Sequence, residues 1–394
     1  METRPLERQT RNRLAKSHQT ETGQHSLLRA IMLLLCLPSL LCAQTPGPGV
    51  KGEKDDFAII AYYRGGVDEI DKYPVEKLTH IIYTFLHLRG NQLSITNTKS
   101  EAAIKHLVSL KKKHTKLKVM LALGGWGGCK TCSGAFSTAE GRSEFARSAT
   151  DMLLKYDADG LDLDWEYPAI EGVPGHPYSA ADRHNFTLLV EELRKNFGNR
   201  FELSFAAGGF TDFLEKSIEW KEVMELVDRV NLMSYDLVNG YSKNTGHHTP
   251  LNSFRPEDES TRKAVQFLDS LNIPMQKIVI GAAFYARVWE KVQPVNNGLF
   301  QSGVFKRAVA WKNFKSYFTK EKGFKEYYDP AAGAWYQYSP REKQFATYDN
   351  RASVKAKTAY ARSTGLGGIM FWQLTSDTYK HGLLDAIYEA AQGK

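Results

Sequence analysis

The sequence predicts an α/β fold, a (β/α)8 barrel of the TIM type, with a small α+β insertion between the seventh and eighth barrel strands. Two observations support this prediction. Short runs of β-branched and aromatic residues recur along the chain, and segments with apolar residues at helical spacing separate them. In a chain of 394 residues, eight alternating units of this kind close most economically into one barrel.

The predicted strands are short, and β-branched or aromatic residues dominate them. They cover residues 57–63, 78–85, 117–123, 160–164, 201–206, 229–234, 277–283 and 368–373. Between them, segments such as 142–156 and 182–197 carry Lys, Arg and Glu on one face and apolar residues on the other. That pattern predicts helices that cover the barrel.

The insertion is predicted from a break in this rhythm. The seventh and eighth strands are about 80 residues apart, which is more than a helix and two loops need. Residues 288–346 are rich in Tyr, Phe, Trp and Lys, so we place the α+β insertion there and expect it to wall a groove at the barrel mouth. Residues 44–54 are rich in Pro, Gly and Lys and are predicted to be a linker, which leaves 55–394 for the barrel domain.

The composition is that of a globular protein, with 42% hydrophobic and 12% aromatic residues. The net charge is +8, but the first 43 residues contain six Lys or Arg and three Asp or Glu, which leaves about +5 for the rest. This surplus is small, and no basic stripe accompanies it. We therefore expect no nucleic-acid partner.

Residues 1–43 are predicted to be a secretory signal. Arg29 precedes an apolar run at 30–41, and Ala43 ends a plausible cleavage site. The run is too short to span a bilayer comfortably, so we expect no stable membrane insertion and a secreted protein, either extracellular or periplasmic. Residues 1–25 are long for the polar start of a signal, which leaves a later start codon open.

The four cysteines fall into two groups. Cys36 and Cys42 lie in the predicted signal, where lipid anchoring at Cys42 is a minor alternative to cleavage. Cys129 and Cys132 form a single CxxC, and one such pair cannot complete a four-ligand zinc site. In an exported protein we expect a small disulfide loop there, with a thioredoxin-like redox role as the alternative.

Residues 159–168, DGLDLDWEYP, place acids on the fourth predicted strand. Side chains two positions apart share a face of a strand, so Asp162, Asp164 and Glu166 face one side and the apolar residues between them face the other. An edge strand in water could look like this, but three neighbouring acids repel one another. In an enclosed site the same crowding raises the pKa values of carboxyl groups, so that one of them can act as a general acid.

Function in such a barrel gathers at the carboxyl ends of the strands. The predicted strand ends bring aromatic residues, acids and an arginine to one rim, and aromatic faces beside carboxylates suit a sugar-binding cleft. These residues are Trp126, Tyr235, Asp236, Tyr285, Arg287 and Trp372. His247 and His248 suggest a metal only weakly, and we expect a solvated loop there, with no cofactor and no metal.

These motifs resemble glycoside hydrolase family 18, the chitinase family, whose signature on the fourth strand is DxxDxDxE. The resemblance covers residues 57–390, and its motifs appear in the expected order. They are LTHIIYTF at 78–85, GGW at 124–126, the full signature from Asp159 to Glu166, MSYD at 233–236 and GGIMFW at 367–372. The family's nucleophile is the acetamido oxygen of the substrate, an exception to the usual pair of enzyme carboxylates.

The resemblance implies catalytic roles for four residues. Glu166 would protonate the glycosidic oxygen and later activate water. Asp164 would orient the acetamido group and offset the charge of the oxazolinium ion, while Asp162 would share a proton with it. Tyr235 would donate a hydrogen bond to the acetamido carbonyl. Many family members have Ser where this chain has Ala122, which weakens the expected support of Asp162 unless Tyr62 compensates.

The resemblance also implies a set of substrate-binding residues. Asp236 and Arg287 would hold the distorted sugar, Trp372 would lie beneath it, and Trp126 and Tyr241 would stack product-side sugars. The full set is Tyr62, Phe85, Trp126, Tyr167, Met233, Asp236, Tyr241, Tyr285, Arg287 and Trp372. Core filling by Trp372 and Phe85, a purely structural pair of Tyr285 and Arg287, and a bracing role for Asp159 remain alternatives.

The leading hypothesis is an exported, monomeric chitinase that cuts β-1,4-linked N-acetylglucosamine polymers or oligomers with retention. A sugar-binding protein on the same fold is one alternative, but relatives of that kind usually lack the acid that Glu166 supplies here. An endo-β-N-acetylglucosaminidase that acts on N-glycans is another. The long insertion and the aromatic rim favour chitin, because such walls suit a linear polymer.

Overall fold

A computed structural model describes residues 57–393. Eight parallel strands form a closed sheet, because β1 pairs with both β2 and β14. The predicted (β/α)8 barrel is therefore confirmed. In chain order the strands are β1 (Ala58–Tyr63), β2 (His80–Arg89), β3 (Gln92–Ser94), β4 (Lys118–Gly124), β5 (Gly160–Asp164), β6 (Glu202–Gly208), β7 (Arg229–Met233), β8 (Ile278–Ala283), β9 (Tyr285–Glu290), β10 (Val304–Ala310), β11 (Lys325–Asp329), β12 (Ala334–Ser339), β13 (Gln344–Tyr348) and β14 (Gly368–Trp372). The barrel consists of β1, β2, β4 to β8 and β14, and β3 extends β2 as a hairpin.

Helices surround the barrel, and both helical segments named in the sequence lie within α4 and α5. The helices are α1 (Val67–Ile70), α2 (Thr98–Ser109), α3 (Cys132–Phe136), α4 (Ala139–Tyr156), α5 (Asp182–Phe197), α6 (Thr211–Lys216), α7 (Trp220–Leu226), α8 (Thr261–Ser270), α9 (Phe314–Tyr317), α10 (Arg351–Ser363) and α11 (Leu383–Ala391). Side-chain caps begin α2, α4, α8 and α10: the Thr138 hydroxyl, for example, accepts from the Gly141 N–H at the start of α4.

Alternation along the strands separates two apolar layers. In β1, Ala58, Ile60 and Tyr62 belong to a cluster inside the barrel, whereas the residues between them pack in the larger core under the helices. β5 follows the same rule with different chemistry: its apolar residues join the outer core, and its acids point inward. A strand of this barrel can therefore bury a carboxylate without losing its share of the core.

The chain between β8 and β14 carries a second sheet. Five antiparallel strands pair in the order β10-β9-β13-β12-β11, and the short helix α9 packs beside them. The sheet begins at Tyr285, directly after the seventh barrel strand, and ends at Tyr348, so it reaches slightly beyond the predicted range 288–346. We call residues 285–348 the insertion sheet.

A cluster of ion pairs lies at the amino end of the barrel. Glu202, which is 8% exposed, accepts from Lys118 at 2.6 Å and from Arg229 at 2.6 Å, and its third partner is His80 Nε2 at 3.2 Å. Asp159 also lies at this end, where it binds Lys111 Nζ at 2.9 Å and the Val119 N–H at 2.6 Å. The bracing alternative for Asp159 therefore matches its position.

Within residues 57–393, no helix is both long enough and apolar enough to cross a membrane. The predicted signal at 1–43 and the predicted linker at 44–54 lie outside the described residues.

Candidate active site

The acids of the signature meet at the carboxyl end of the barrel. Asp162 is fully buried, Asp164 is 4% exposed, and Glu166, just beyond β5, is partly open to a cleft of about 1830 Å³. The intervening Leu161, Leu163 and Trp165 all pack in the outer core, as the period-two pattern predicts.

Three donors surround Asp162. Tyr62 donates to Oδ2 at 2.9 Å, Ser204 donates to Oδ1 at 2.5 Å, and the Asn231 amide donates to Oδ1 at 3.0 Å. Burial raises the pKa of Asp162 to about 6, and these hydrogen bonds act in the opposite direction. No hydrogen bond joins Asp162 to Asp164 among residues 57–393, and the proton sharing that the resemblance implies stays a prediction.

Asp164 and Glu166 are electrostatically crowded. Burial raises the pKa of Asp164 well above its ordinary range, and the charges of Glu166 and Asp162 raise it further. Burial also raises the pKa of Glu166 to about 7; a hydrogen bond from Tyr167 lowers it, and the charge of Asp236 raises it. Near neutral pH the pair therefore retains a proton. Asp164 Oδ1 is buried and has no hydrogen-bond partner among residues 57–393.

Gly124, the last residue of β4, and Gly125 make room for this cluster. Gly124 has φ +107°, and a Cβ there would lie 2.2 Å from the backbone oxygen of Asp164. At Gly125, φ +77°, a Cβ would lie 2.2 Å from the ring of Phe85. Two consecutive glycines are thus required where the third barrel strand passes the acids.

Aromatic rings form one side of the cleft. Trp372 stacks on Phe85 with ring centroids 5.5 Å apart and planes 17° apart, and it lies 5.9 Å from the Tyr62 ring. Trp372 and Phe85 are only partly buried and line the cleft, so neither is plain core filling. Tyr62 is 2% exposed.

The ends of β7 and β8 add polar groups. Tyr235 and Tyr285, each 8% exposed, meet edge to face at 6.3 Å, and Met233 packs against the same interior cluster and lines the cleft. Asp236 follows with φ 57°, a left-handed conformation that Asp tolerates better than most residues.

Arg287 binds Asp236 rather than pairing with Tyr285 alone. Its Nε donates to Asp236 Oδ1 at 2.7 Å, and its Nη2 donates to Asp236 Oδ2. The guanidinium also lies 5.4 Å from the Tyr285 ring centroid. The contact joins the sixth barrel strand to the insertion sheet, which is more than the structural pair within the insertion that the sequence left open.

Exposed aromatic residues extend the cleft outward. Trp126 is 51% exposed and Tyr241 is 67% exposed, and their ring centroids lie 6.4 Å apart. Trp126 also meets Tyr167 at 6.4 Å, and Tyr167 packs on Phe210 at 5.5 Å. The structure therefore brings all the residues named from the sequence for this site into one cleft or its immediate support.

The loop that carries Trp126 is tied by Cys129 and Cys132. The two cysteines form a disulfide, with their Cα atoms 5.1 Å apart, and Cys132 begins α3. Both are buried. Among residues 57–393, no cluster of three or more His, Cys, Asp or Glu could hold a metal ion.

The expectation of a solvated loop at His247 and His248 is wrong. Both imidazoles are buried, at 1% and 0% exposure, because the segment after β7 folds under the insertion sheet. Ser204 and Asn231, which donate to Asp162, are not among the site residues predicted from the sequence. Both are polar residues at inward positions of predicted barrel strands, and that signal could have identified them.

A carboxyl group with a raised pKa in a cleft lined by aromatic rings has the properties that the general acid of a glycoside hydrolase needs. The family model of glycosyl hydrolases family 18 matches residues 58–377. Chitinase A1 of Niallia circulans is 32% identical over 301 residues, 70% of this chain and 43% of that protein. Chitotriosidase-1 of Mus musculus is 31% identical over 328 residues, 77% of this chain and 68% of that protein.

Among solved structures, a family 18 N-acetylglucosaminidase from Paenibacillus barengoltzii has a TM-score of 0.77 and 32% identity, and the match covers 85% of this chain and 99% of that one. The chain belongs to glycosyl hydrolases family 18, which confirms the resemblance seen in the sequence. It spans less than half the length of the Niallia relative.

Proposed function

We propose that the protein is a secreted chitinase that hydrolyses β-1,4-linked N-acetylglucosamine polymers or oligomers with retention of the anomeric configuration. The observation that carries the proposal is the pair at the end of β5: Glu166, whose pKa is raised to about 7, and Asp164, whose buried Oδ1 has no partner in the described chain. A proton donor and a free acceptor side by side match a substrate that presents both a glycosidic oxygen and an amide N–H.

The first chemical step transfers the proton of Glu166 to the glycosidic oxygen. The acetamido oxygen of the substrate attacks the anomeric carbon, and the leaving sugar departs as an alcohol. Asp164 accepts the amide N–H and offsets the positive charge of the oxazolinium ion. The Tyr235 hydroxyl donates to the acetamido oxygen and holds it in line.

In the second step the direction of proton transfer is reversed. Glu166, now a carboxylate, takes a proton from water, and the oxygen of that water attacks the anomeric carbon from the face that the leaving sugar vacated. The bond between that carbon and the acetamido oxygen breaks, which opens the oxazolinium ring and regenerates the neutral acetamido group. Two inversions restore the original configuration. Asp236 is a poor competing nucleophile because both of its oxygens bind Arg287, which supports assigning that role to the substrate.

The aromatic cleft supplies binding along a linear chain. Trp372 and Phe85 lie under the reacting sugar, with Met233, Tyr285 and the Asp236–Arg287 pair around it. Tyr167, Trp126 and Tyr241 offer ring faces to the sugars on the product side. We place secretion in the same proposal, on the basis of the leader at 1–43.

Removal of the acid tests the function directly. Glu166→Gln keeps the shape of the cleft but cannot donate the proton, so hydrolysis of N-acetylglucosamine hexamer should fall by about 10³-fold or more while hexamer binding persists. The matched control is Glu191→Gln on the exposed face of α5. Products are followed by chromatography that resolves length and anomer, and mainly β-anomeric dimer is expected from the parent.

The same experiment separates the alternatives. Near-parental turnover by Glu166→Gln would contradict the assignment of the acid. Monomer as the first product would favour an N-acetylglucosaminidase, the activity in the name of the Paenibacillus relative. Binding without cleavage by the parent would favour a sugar-binding protein or an enzyme of N-glycans. A glucose hexamer with the same linkage should remain intact, since it lacks the acetamido group.

A further inference from the structure

His248 is a buried imidazole beside the active site for which the mechanism above has no role. It lies on the segment between β7 and α8 and has no exposed surface. Its Nδ1 is 3.4 Å from Oδ1 of Asp236, and its Nε2 is buried without a hydrogen-bond partner in the described chain. The groups that face it are Asp236, Arg287 and Asp349, together with the ring of Tyr285 at 5.4 Å.

The protonation of this imidazole follows from its neighbours. Asp236 is ionised in its pair with Arg287 and can only accept, so Nδ1 must carry the hydrogen. Burial lowers the pKa of His248, and the carboxylate of Asp236 opposes that effect. Because Nε2 has no acceptor to meet a second N–H, the neutral Nδ1–H form is the one that fits the site.

His248 and Arg287 both contact the carboxylate of Asp236. The side chains of Asp236 and Arg287 are 29% and 22% exposed and line the cleft, whereas His248 lies wholly in the interior. Burial raises the pKa of Asp236, but hydrogen bonds from His248 and Arg287 outweigh it and hold the pKa well below its ordinary range. The carboxylate is thus kept ionised and fixed in orientation.

The backbone of His248 is hydrogen-bonded to the insertion sheet. Its N–H donates to Thr347 Oγ1 at 3.2 Å, and its carbonyl accepts from the Leu237 N–H at 3.1 Å. Thr347 on β13 is the register partner of Arg287 on β9. Both donors to Asp236 are therefore held by the same two strands of the insertion sheet.

We propose that His248 is a positioning residue of the active site, a neutral hydrogen-bond donor that orients the Asp236 carboxylate toward the reacting sugar and toward Glu166. The inference rests on the proposed function and deepens it, because it assigns the support of Asp236 to a residue outside the family motifs quoted above. His248 acts through Asp236 and does not touch the substrate.

Three variants test the proposal. His248→Leu removes the donor, and His248→Asn places an amide N–H near the position of Nδ1. His247→Leu is the matched control, since His247 is equally buried but its ring contacts Asp329 at 3.2 Å, away from the cleft. Values of kcat and KM are measured on N-acetylglucosamine hexamer from pH 4 to 9, below the unfolding midpoint of every variant.

We expect His248→Leu to lose about tenfold to a hundredfold in kcat/KM, the range for losing a hydrogen bond to a charged group. His248→Asn should recover to within about threefold of the parent, and His247→Leu should stay within the same margin. Parental kcat/KM in His248→Leu would overturn the proposal. So would equal losses in the Leu and Asn variants, because they indicate packing alone.

A second readout does not depend on catalysis. Two-bond ¹H–¹⁵N correlation spectra of the parent, assigned by comparison with His248→Asn, report which ring nitrogen of His248 carries the hydrogen. The Nδ1–H form is expected across the neutral range, and the Nε2–H form would overturn the proposal. If the parent fails to cut the hexamer while the Nδ1–H form is present, the proposed function fails and the contact between His248 and Asp236 stands.

Discussion

Glu166 lies between two side chains that shift its pKa in opposite directions. Burial raises the pKa to about 7, the Tyr167 hydroxyl lowers it by donating to the carboxylate, and the negative charge of Asp236 raises it. A general acid must be protonated to act, so the alkaline limb of the pH profile is expected to follow this pKa.

Two substitutions should move that limb in opposite directions. Asp236→Asn removes a negative charge and leaves Arg287 uncompensated, so the pKa of Glu166 falls and the alkaline limb of kcat/KM moves to lower pH. Tyr167→Phe removes the hydrogen bond, so the limb moves to higher pH. Both are measured on the hexamer, with exposed Asp151→Asn and Tyr328→Phe as controls. Shifts in the same direction would contradict this account.

For individual residues, the sequence predicts the positions of side chains on regular strands far better than the positions of side chains that depend on long-range contacts. The acids of β5 follow from a period of two and a motif. His248 does not, because its burial depends on Thr347, 99 positions away, and on the insertion sheet above it. From composition alone, a polar His-His-Thr segment between two elements looks like a solvated loop. Only the position of the insertion sheet shows that it is buried.

Neighbouring strands share the support of Asp162. In the barrel register Asp162 stands between Ala122 on β4 and Ser204 on β6, and Tyr62 on β1 and Asn231 on β7 complete its donors. The hydroxyl that many relatives place on β4 is here supplied by β6, on the other side of the acid. Because Ala122 has no hydroxyl, the sequence left the hydrogen-bond support of Asp162 uncertain. Ser204 and Tyr62 both provide that support.

A swap of the hydroxyl between strands tests this support. Ser204→Ala removes the 2.5 Å hydrogen bond and one influence that lowers the pKa of Asp162, so kcat on the hexamer should fall by about tenfold. Adding Ala122→Ser should restore most of the loss, because residue 122 is also a register partner of Asp162. The single variant Ala122→Ser controls for crowding in the barrel. Parental kcat in Ser204→Ala, or no recovery in the double variant, would argue against shared support.

Elements with a strong pattern were predicted closely, and the exceptions have a physical cause. Strand β5 has the bounds given from the sequence, and α5 begins and ends as predicted. The start of the insertion was harder to place, since β8 passes into β9 after a single residue and both strands are apolar or aromatic there. No turn residue separates them, so composition alone cannot divide barrel from insertion.

Asp164 and Glu166 at the carboxyl end of the barrel and Glu202 at the amino end have pKa values shifted in opposite directions. At the carboxyl end, burial without a cation beside them raises the pKa values of Asp164 and Glu166. At the amino end, burial raises the pKa of Glu202, but His80 and Arg229 outweigh it and hold the pKa well below its ordinary value. The raised pKa values at the carboxyl end keep a proton available for catalysis. The ion pairs of Glu202 at the amino end stabilise the closed barrel.

Removal of the charge at the amino end should destabilise the whole molecule. Glu202→Gln leaves Lys118 and Arg229 without their carboxylate, and we expect a loss of about 3 kcal/mol in the free energy of unfolding at pH 7. Because folding lowers the pKa of Glu202, its contribution is complete above its ordinary value of 4.5 and is lost as pH falls below it. The gap between parent and variant should therefore narrow in acid.

The free energy is measured by urea unfolding at several pH values, with Glu191→Gln as the exposed control. A gap that widens below pH 4.5 would contradict the assigned pKa direction. Activity at 25 °C should remain close to that of the parent, since the amino end of the barrel is remote from the cleft.

The barrel itself could be predicted because eight alternating strand and helix units have few ways to form a closed fold in a chain of this size. The ion cluster around Glu202 could not, because its members are 122, 84 and 27 positions from it and meet only after closure.

The insertion sheet has a consequence for protein engineering. It supplies Arg287 directly and holds His248 through Thr347, so it is an integral part of the proposed active site and not a detachable module. Deleting it to widen the cleft would leave Asp236 without its cation. Redesign of substrate range should therefore retain β9 and β13 and vary β11 and β12, which carry neither Arg287 nor Thr347.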